Sequence, residues 1–175
     1  AQFVADEIGR IHRTGTPYSE IAVFYRTNSQ SRALEEIFIR AALPYKIMGG
    51  TKFYERAEIK DAMSYLVAVA NPDDEMALRR IINRPRRGIG DVTIESISRY
   101  AQRERMSFRD ALGSPSELGV GPKIQAAIRH LDDVLIEASA IMLPASGELA
   151  PSTAVAEGLA LLLNKSGYMD ALRQS

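Results

Sequence analysis

The chain has 175 residues, and its 22 Lys and Arg are balanced by 22 Asp and Glu, so its formal net charge is zero. This balance excludes a uniformly basic nucleic-acid coat protein, although it does not exclude a local basic patch. The absence of cysteine excludes disulfides, cysteine-ligated zinc, iron–sulfur clusters and cysteine nucleophiles.

Two further absences narrow the class of protein. No apolar run reaches the roughly 18 residues that span a bilayer, and no signal peptide is visible. We therefore expect a cytoplasmic protein with no membrane partner. The two histidines, His12 and His130, lie far apart in the sequence and have no nearby spaced ligands, so no metal site is predicted.

The first 50 residues alternate between helical and extended patterns. Apolar spacing predicts a helix that Gly15 ends, a strand over 20–27, a helix that is capped within 27–29 and ends before Pro44, and a strand over 45–48. A continuous apolar run such as "IAVFY" is typical of a strand covered on both faces. This portion therefore has α/β character.

From residue 51 onward the pattern is helical. The apolar stripes and caps predict a helix within 55–72, a short helix that Asp73 or Asp74 caps and that runs through Ile82, and a helix that Asp91 caps and that runs through Tyr100 or Ala101. Further helices are predicted over 108–112, over 122–142 with Pro122 in the first turn, over 153–167 and from Tyr168. The predicted fold class is thus mainly α with a small α/β portion at the N-terminus. Because the first helix lacks a preceding cap and the last runs out after two turns, we expect a piece of a longer protein.

One segment, "RPRRGIGDVT" at 84–93, concentrates positive charge beside a tight turn. Its glycines allow a bend that exposes backbone N–H groups next to a helix N-terminus, and such an arrangement is a binding site for phosphate. The hydroxyl of Thr93 adds a donor. The surrounding arginines are Arg79, Arg80, Arg84, Arg86 and Arg87. The alternative is a solvated loop whose arginines pair with neighbouring acids such as those at 73–75.

A second turn of the same kind follows in "ELGVGPKIQAAI" at 117–128, where Gly121 precedes a helix and Lys123 lies in its first turn. Two Gly-apolar-Gly turns about 30 residues apart resemble paired helix-hairpin-helix elements, which bind duplex backbones. The alternative is a plain connection between two helices.

Two other segments carry candidate ligand contacts. In "FYRTN", Arg26 follows the first predicted strand, where a guanidinium reaches a γ-phosphate, and Tyr25 is placed to stack on a base. In "GGTKFYERAEIKD", Lys52 and Phe53 fit a base-stacking platform at a hinge. The alternatives are an ordinary strand end and a connector with core aromatics. The chain contains no Gly-x-x-x-x-Gly-Lys-Ser/Thr loop, so it is not expected to cradle ATP alone.

Three stretches follow one another along the chain: "VFYRTNSQSRALEE", "PYKIMGGTKFYERAEIKD" and "NPDDEMALRRIINRPRRGIGD". In this series the chain resembles the UvrD/PcrA/Rep class of superfamily 1 DNA helicases. The resemblance implies that residues 1–60 are a partial RecA-like second motor domain containing the motif IV region. It implies that residues 61–175 are an incomplete helical 2B-like subdomain with helix-hairpin-helix-like turns.

The resemblance also implies roles for single residues. Tyr25 would pack on the adenine of ATP, and Arg26 would be the catalytic contact to the γ-phosphate. The residues that the resemblance and the turns place on DNA are Arg86, Arg87, Gly88, Ile89, Gly90 and Thr93, with Gly121, Lys123, Lys52 and Phe53 as further candidates. ATP and Mg would act in the full-length enzyme, and the fragment alone would bind neither.

The expected function is therefore that of a fragment of an ATP-dependent 3′-to-5′ DNA helicase of repair or replication. The fragment itself would bind the DNA backbone at most, at a junction between single strand and duplex, and its other partner would be the rest of the helicase chain. The alternative is a protein-interaction or autoinhibitory module that binds repair proteins and has no DNA affinity of its own. A free-standing helix-hairpin-helix protein fits the α/β start and the cut ends poorly.

Overall fold

The computed structural model describes residues 1–48, 53–143 and 151–174. Within these ranges the chain is mainly helical, as predicted. Its helices are α1 (Gln2–Arg13), α2 (Asn28–Arg40), α3 (Ala57–Ala70), α4 (Glu75–Ile81), α5 (Asp91–Glu104), α6 (Phe108–Leu112), α7 (Pro122–Met142), α8 (Ser152–Lys165) and α9 (Tyr168–Arg173). Single 3-10 turns lie at Tyr18–Glu20, Phe53–Glu55 and Pro115–Leu118. None of the helices in these ranges has the length and apolar character needed to cross a membrane.

The chain divides into two compact units, Ala1–Ile59 and Lys60–Ser175. That the first is a partial motor domain and the second a 2B-like subdomain stays a prediction, because the division itself identifies neither.

The first unit is built on the packing of α1 against α2. Ala5 and Ile8 of α1 and Phe38 of α2 form its small buried core. The partly buried side chains around this core include those of Ile21, Val23, Leu43 and Tyr45. The buried carboxylate of Glu35 accepts hydrogen bonds from the Phe53 amide at 3.1 Å and from the Tyr45 hydroxyl at 3.5 Å. Burial raises the pKa of that hydroxyl, and the neighbouring Glu35 carboxylate raises it further.

The two strands predicted over 20–27 and 45–48 are not formed, so this part of the expectation is wrong. Ile21 and Thr27 take extended backbone angles, but the described residues contain no paired strand, and Glu20 belongs to a 3-10 turn. A strand requires a ladder of hydrogen bonds to a neighbour, and its own apolar run does not supply that neighbour. Consistent with an uncovered segment, the Phe24 side chain is 94% exposed and that of Met48 is 80% exposed.

Side-chain caps fix the starts of two helices where the sequence placed them. Thr27 and Gln30 form a reciprocal capping box at the start of α2. Asp74 caps α4 by accepting from the Ala77 amide at 2.9 Å. The prediction for α5 was one residue late, because Gly90 is the N-cap and Asp91 is the first helical residue. Gly90 takes extended backbone angles there, and its carbonyl already accepts from the first turn.

The second unit is organised around α7, which packs against α6, α8 and the 3-10 turn at Pro115–Leu118. The side chains that α7 buries include Ile128, Leu131 and Leu135. Helix α8 approaches α7 closely at Gly158, where an added methyl group would collide with the Met142 side chain. The same core receives Ile81 and Ile82 at the end of α4. This packing fixes where the connection between α4 and α5 leaves the core.

An ion pair between α6 and α7 adds a polar contact inside this unit. Arg109 of α6 meets Asp132 of α7, and their side chains are only 15% and 13% exposed. Burial lowers the pKa of the Arg109 guanidinium, and the nearby charge of Asp110 partly opposes that shift.

Candidate nucleic-acid interface

The segment 83–90, which we call the arginine hairpin, connects α4 to α5 and is held by the side chain of Asn83. Asn83 Oδ1 accepts hydrogen bonds from the backbone N–H of Arg87 at 2.7 Å and of Ile89 at 3.2 Å. Gly88 between them has φ of +77°, a conformation that glycine adopts without strain. Asn83 was not predicted from the sequence as a structural residue, although asparagine commonly satisfies turn amides in this way.

Asn83→Ala is expected to destabilise the second unit by about 1–2 kcal/mol, because two turn amides lose their shared acceptor. Asn83→Asp keeps that acceptor and is expected to cost less than about 0.5 kcal/mol. Urea unfolding followed by circular dichroism measures both. Equal losses for the two variants would show that the side-chain oxygen does not hold the turn.

Three of the five arginines are paired with acids. Arg79 contacts Glu75 of its own helix at 2.6 Å. Arg80 donates from Nε to Asp61 Oδ1 at 2.7 Å, and Arg84 lies 3.4 Å from Asp61 Oδ2. Neutralisation by carboxylates was the alternative left open for these residues, and it holds for these three.

Arg87 is bound inside the unit. Its Nη1 donates to the carbonyl of Ile81 at 2.9 Å, and its Nη2 donates to the Tyr65 hydroxyl at 2.8 Å and to the Ser166 carbonyl at 3.0 Å. The guanidinium therefore serves the fold, although the sequence analysis placed it on DNA. Its neighbour Pro85 also offers a carbonyl at 3.4 Å.

Few cations and backbone amides of the arginine hairpin are exposed and without a partner among the described residues. Arg86 is exposed and has no ionic or hydrogen-bonding partner within the described part of the chain. Gly88 and Gly90 are exposed, and among the described residues their amides have no acceptor. By contrast, Ile89 is fully buried and Thr93 is nearly so, at 9% exposure. Neither side chain is therefore exposed for the predicted contact with DNA.

The second glycine turn lies beside the first. A Cβ built on Gly88 would stand 3.2 Å from Ile124 Cδ1, in the first turn of α7. That turn begins at the exposed N-cap Gly121, and Lys123 is exposed and unpaired among the described residues. The structure therefore brings together two turns that are about 30 residues apart in sequence, each at the start of a helix.

The charges around the two turns are not all favourable to a phosphate. Arg86 and Lys123 supply free cations, and the aligned dipoles of α5 and α7 add positive potential at their N-termini. Asp91, however, is exposed in the first turn of α5, whereas the first turn of α7 carries no acid. The α7 side of this surface is therefore the more attractive side for an anion.

In the first unit, Tyr25 and Arg26 precede α2 directly. The side chain of Tyr25 is 36% exposed, and Arg26 is exposed without an acidic partner in the described ranges. The backbone N–H of Arg26 donates to Gln30 Oε1 at 3.0 Å, so the capping box fixes the chain at this point. The side chain is free to reach a ligand.

Phe53 is partly buried and covered by cations. The guanidinium carbons of Arg32 and Arg56 lie 4.9 and 5.7 Å from its ring centroid, and Tyr54 meets it edge-on at 5.1 Å. Because arginines already cover the ring, stacking of a base on Phe53 would require one of them to move. Lys52 lies outside the described residues. No group of three or more His, Asp or Glu in the described ranges is placed to hold a metal ion.

Comparisons with known proteins give a consistent picture. The family described as "UvrD-like helicase C-terminal domain" matches residues 1–133. The ATP-dependent DNA helicase PcrA of Staphylococcus epidermidis is 41% identical over 175 residues, which is 98% of this chain and 22% of the relative. PcrA of Staphylococcus aureus is 46% identical over 124 residues, 71% of this chain and 17% of the relative. The chain thus spans about a fifth of the length of these relatives.

Proposed function

This chain belongs to the UvrD-like helicase C-terminal family, and on that premise we propose that it is part of an ATP-dependent DNA helicase that acts in the cytoplasm. Within that enzyme, the exposed residues Arg86, Gly88, Gly90, Gly121 and Lys123, here called the paired-turn surface, bind the DNA backbone. The relatives that cover the whole chain are named ATP-dependent DNA helicases, which supports the reaction class.

The observation that carries the DNA-binding proposal is the contact between the two glycine turns. The two neighbouring turns carry free backbone amides at Gly88 and Gly90 and the exposed cations Arg86 and Lys123. Amides and cations of this kind bind phosphates without reading bases, as a translocating enzyme requires. Arg87 is left out of the DNA contact set because its partly buried guanidinium is hydrogen-bonded within the unit.

ATP and Mg²⁺ belong to the larger enzyme in this proposal. Arg26 would stabilise charge on the γ-phosphate and Tyr25 would pack on the base, while the phosphate-binding loop comes from sequence that this chain lacks. The 175-residue chain alone is therefore not expected to hydrolyse ATP. Phe53, with Arg32 and Arg56 over its ring, would lie near single-stranded DNA together with Lys52.

Arg86→Ala and Lys123→Ala are each expected to weaken binding to a duplex with a single-stranded extension by about fivefold and to reduce the salt slope by about one. Fluorescence anisotropy across a salt series measures both quantities. Arg129→Ala is the matched control, because Arg129 is an exposed cation on α7 that lies after Lys123 and outside the first turn of the helix. It removes the same charge and is expected to change affinity less than twofold.

Two results would contradict the paired-turn surface as the binding site. One is binding by the unaltered chain that does not respond to salt. The other is an Arg129→Ala variant that loses as much affinity and slope as the two turn variants, since only total charge would then matter.

A second candidate function is a protein-interaction module, and a groove in the second unit favours it. This groove has a volume of about 310 Å³ and lies between the end of α3 and the C-terminal half of α7. Ile136 on its border is 57% exposed. A repair protein that stays bound after nuclease digestion and is lost on Ile136→Glu would support this function. Salt-sensitive DNA binding that the paired-turn variants abolish would oppose it.

A further inference from the structure

The base of the arginine hairpin is fastened by a buried carboxylate. Asp61 of α3 is only 2% exposed. It accepts from Arg80 at 2.7 Å, from Arg84 at 3.4 Å, and from the hydroxyl of Tyr168 at 2.9 Å. One carboxylate thereby joins the start of the hairpin to α9, whose Tyr168 lies 107 residues after Asp61 along the chain.

A second set of hydrogen bonds fastens the middle of the hairpin. The Tyr65 hydroxyl donates to the Arg84 carbonyl at 2.6 Å and accepts from Arg87 at 2.8 Å. Arg87 also donates to the carbonyl of Ser166, at the end of α8. Tyr65 is fully buried, and its ring lies 6.0 Å from that of Tyr168, so the two sets form one continuous cluster.

This cluster divides neighbouring arginines into two roles. Arg87 is partly buried and its guanidinium is hydrogen-bonded within the unit, and Arg84 contacts Asp61 at 3.4 Å although its side chain is 55% exposed, whereas Arg86 between them is exposed and unpaired among the described residues. A guanidinium that is hydrogen-bonded within the fold adds little to phosphate affinity. Because it holds the hairpin backbone in place, however, it fixes the direction of the side chain next to it. The residues under the hairpin therefore decide where Arg86 and the Gly88 amide are presented.

We propose that Asp61, Tyr65 and Tyr168 are positioning residues for the paired-turn surface. They hold the hairpin through Arg80, Arg84 and Arg87, so that Arg86 and the free amides meet a phosphate in one orientation. This proposal rests on the proposed function, and it makes helices α8 and α9 part of the DNA-binding device although neither carries a predicted DNA contact.

The test variant is Tyr168→Phe in the 175-residue chain, because it removes one hydroxyl and keeps the ring in the core. Its first readout is hydrogen exchange of the hydrogen-bonded hairpin amides of Arg84, Arg87 and Ile89, which we expect to become about fivefold faster while exchange within α7 changes less than twofold. Tyr100→Phe is the matched control. Tyr100 is a half-buried tyrosine of the same unit whose hydroxyl has no partner among the described residues, and we expect no change there.

The second readout separates positioning from general stability. Tyr168→Phe is expected to weaken junction binding about threefold in the unaltered background and clearly less when Arg86 is already alanine, because only the positioning of the hairpin amides is then left to lose. A merely destabilising change would lower affinity equally in both backgrounds. The comparison thus forms a double-mutant cycle between a buried hydroxyl and the exposed cation that it orients.

The outcomes distinguish a failure of the positioning role from a failure of the proposed DNA-binding function. Unchanged hairpin exchange in Tyr168→Phe, or equal affinity losses with and without Arg86, would overturn the positioning role while Arg86→Ala still reports on the proposed function. If the unaltered chain shows no salt-sensitive DNA binding, the proposed function fails and the DNA part of this inference falls with it. The exchange readout then decides by itself whether Tyr168 anchors the hairpin.

Discussion

Asp61→Ala is expected to lower the free energy of unfolding of the second unit by about 3 kcal/mol. The substitution leaves Arg80 and Arg84 without their common carboxylate and removes the acceptor of the Tyr168 hydroxyl. The estimate lies at the low end for breaking a buried pair, because the two arginine side chains are 34% and 55% exposed and water compensates part of the loss.

The matched control for this prediction is Glu75→Ala. Glu75 also pairs with an arginine of the α4 region, but its side chain is 47% exposed and that of Arg79 is 41% exposed, so the loss is expected to stay below about 1 kcal/mol. Urea unfolding by circular dichroism gives the two values, and hydrogen exchange in α3 and α9 assigns the loss to this unit. Losses of equal size in both variants would mean that Asp61 acts as an ordinary surface charge.

The helices were predictable from the sequence because their signals are local. The helix over 122–142 carries an apolar stripe at helical spacing and a proline at its first position, and both signals lie within the segment. The candidate caps at 27–29 and 73–74 included the observed capping residues Thr27 and Asp74, since a cap bonds to amides only three residues away.

The strands could not be settled in the same way. The run "IAVFY" meets the local requirements of a buried strand, but pairing depends on another segment, and no such partner lies in the described residues. The exposure of Phe24 shows the consequence, since this residue remains uncovered. A local apolar pattern therefore predicts what a segment is able to do, and the rest of the chain decides whether it does so.

The candidate site shows the same limit at the scale of single side chains. The sequence identified the arginine-rich turn, yet it gave adjacent Arg86 and Arg87 the same role. Their environments differ because the partners of Arg87 lie 22 residues before it, at Tyr65, and 79 residues after it, at Ser166. Asp61 is similarly remote from the arginines that it binds. The clustering of the arginines was visible in the sequence. Which of them bind within the fold and which are free to bind a ligand was not.

If the proposed function holds, the other large effect is expected at the ATP site of the larger enzyme. Arg26→Ala is expected to lower kcat for DNA-stimulated ATP hydrolysis by about 10³-fold, equivalent to about 4 kcal/mol of transition-state stabilisation. Arg26 has an exposed side chain on a backbone that Gln30 fixes, so it is free to meet a ligand from a defined starting point. Arg26→Lys is expected to recover little, because an ammonium cannot form the paired contacts of a guanidinium.

Steady-state hydrolysis at saturating single-stranded DNA measures this effect. Arg40→Ala, at the exposed last turn of α2, is the control from the same unit and is expected to change kcat less than threefold. Junction affinity without nucleotide should be unchanged in Arg26→Ala, because the paired-turn surface belongs to the other unit. A variant that keeps kcat and only raises KM for ATP would show that Arg26 binds ground state and transition state equally, which would remove its catalytic role.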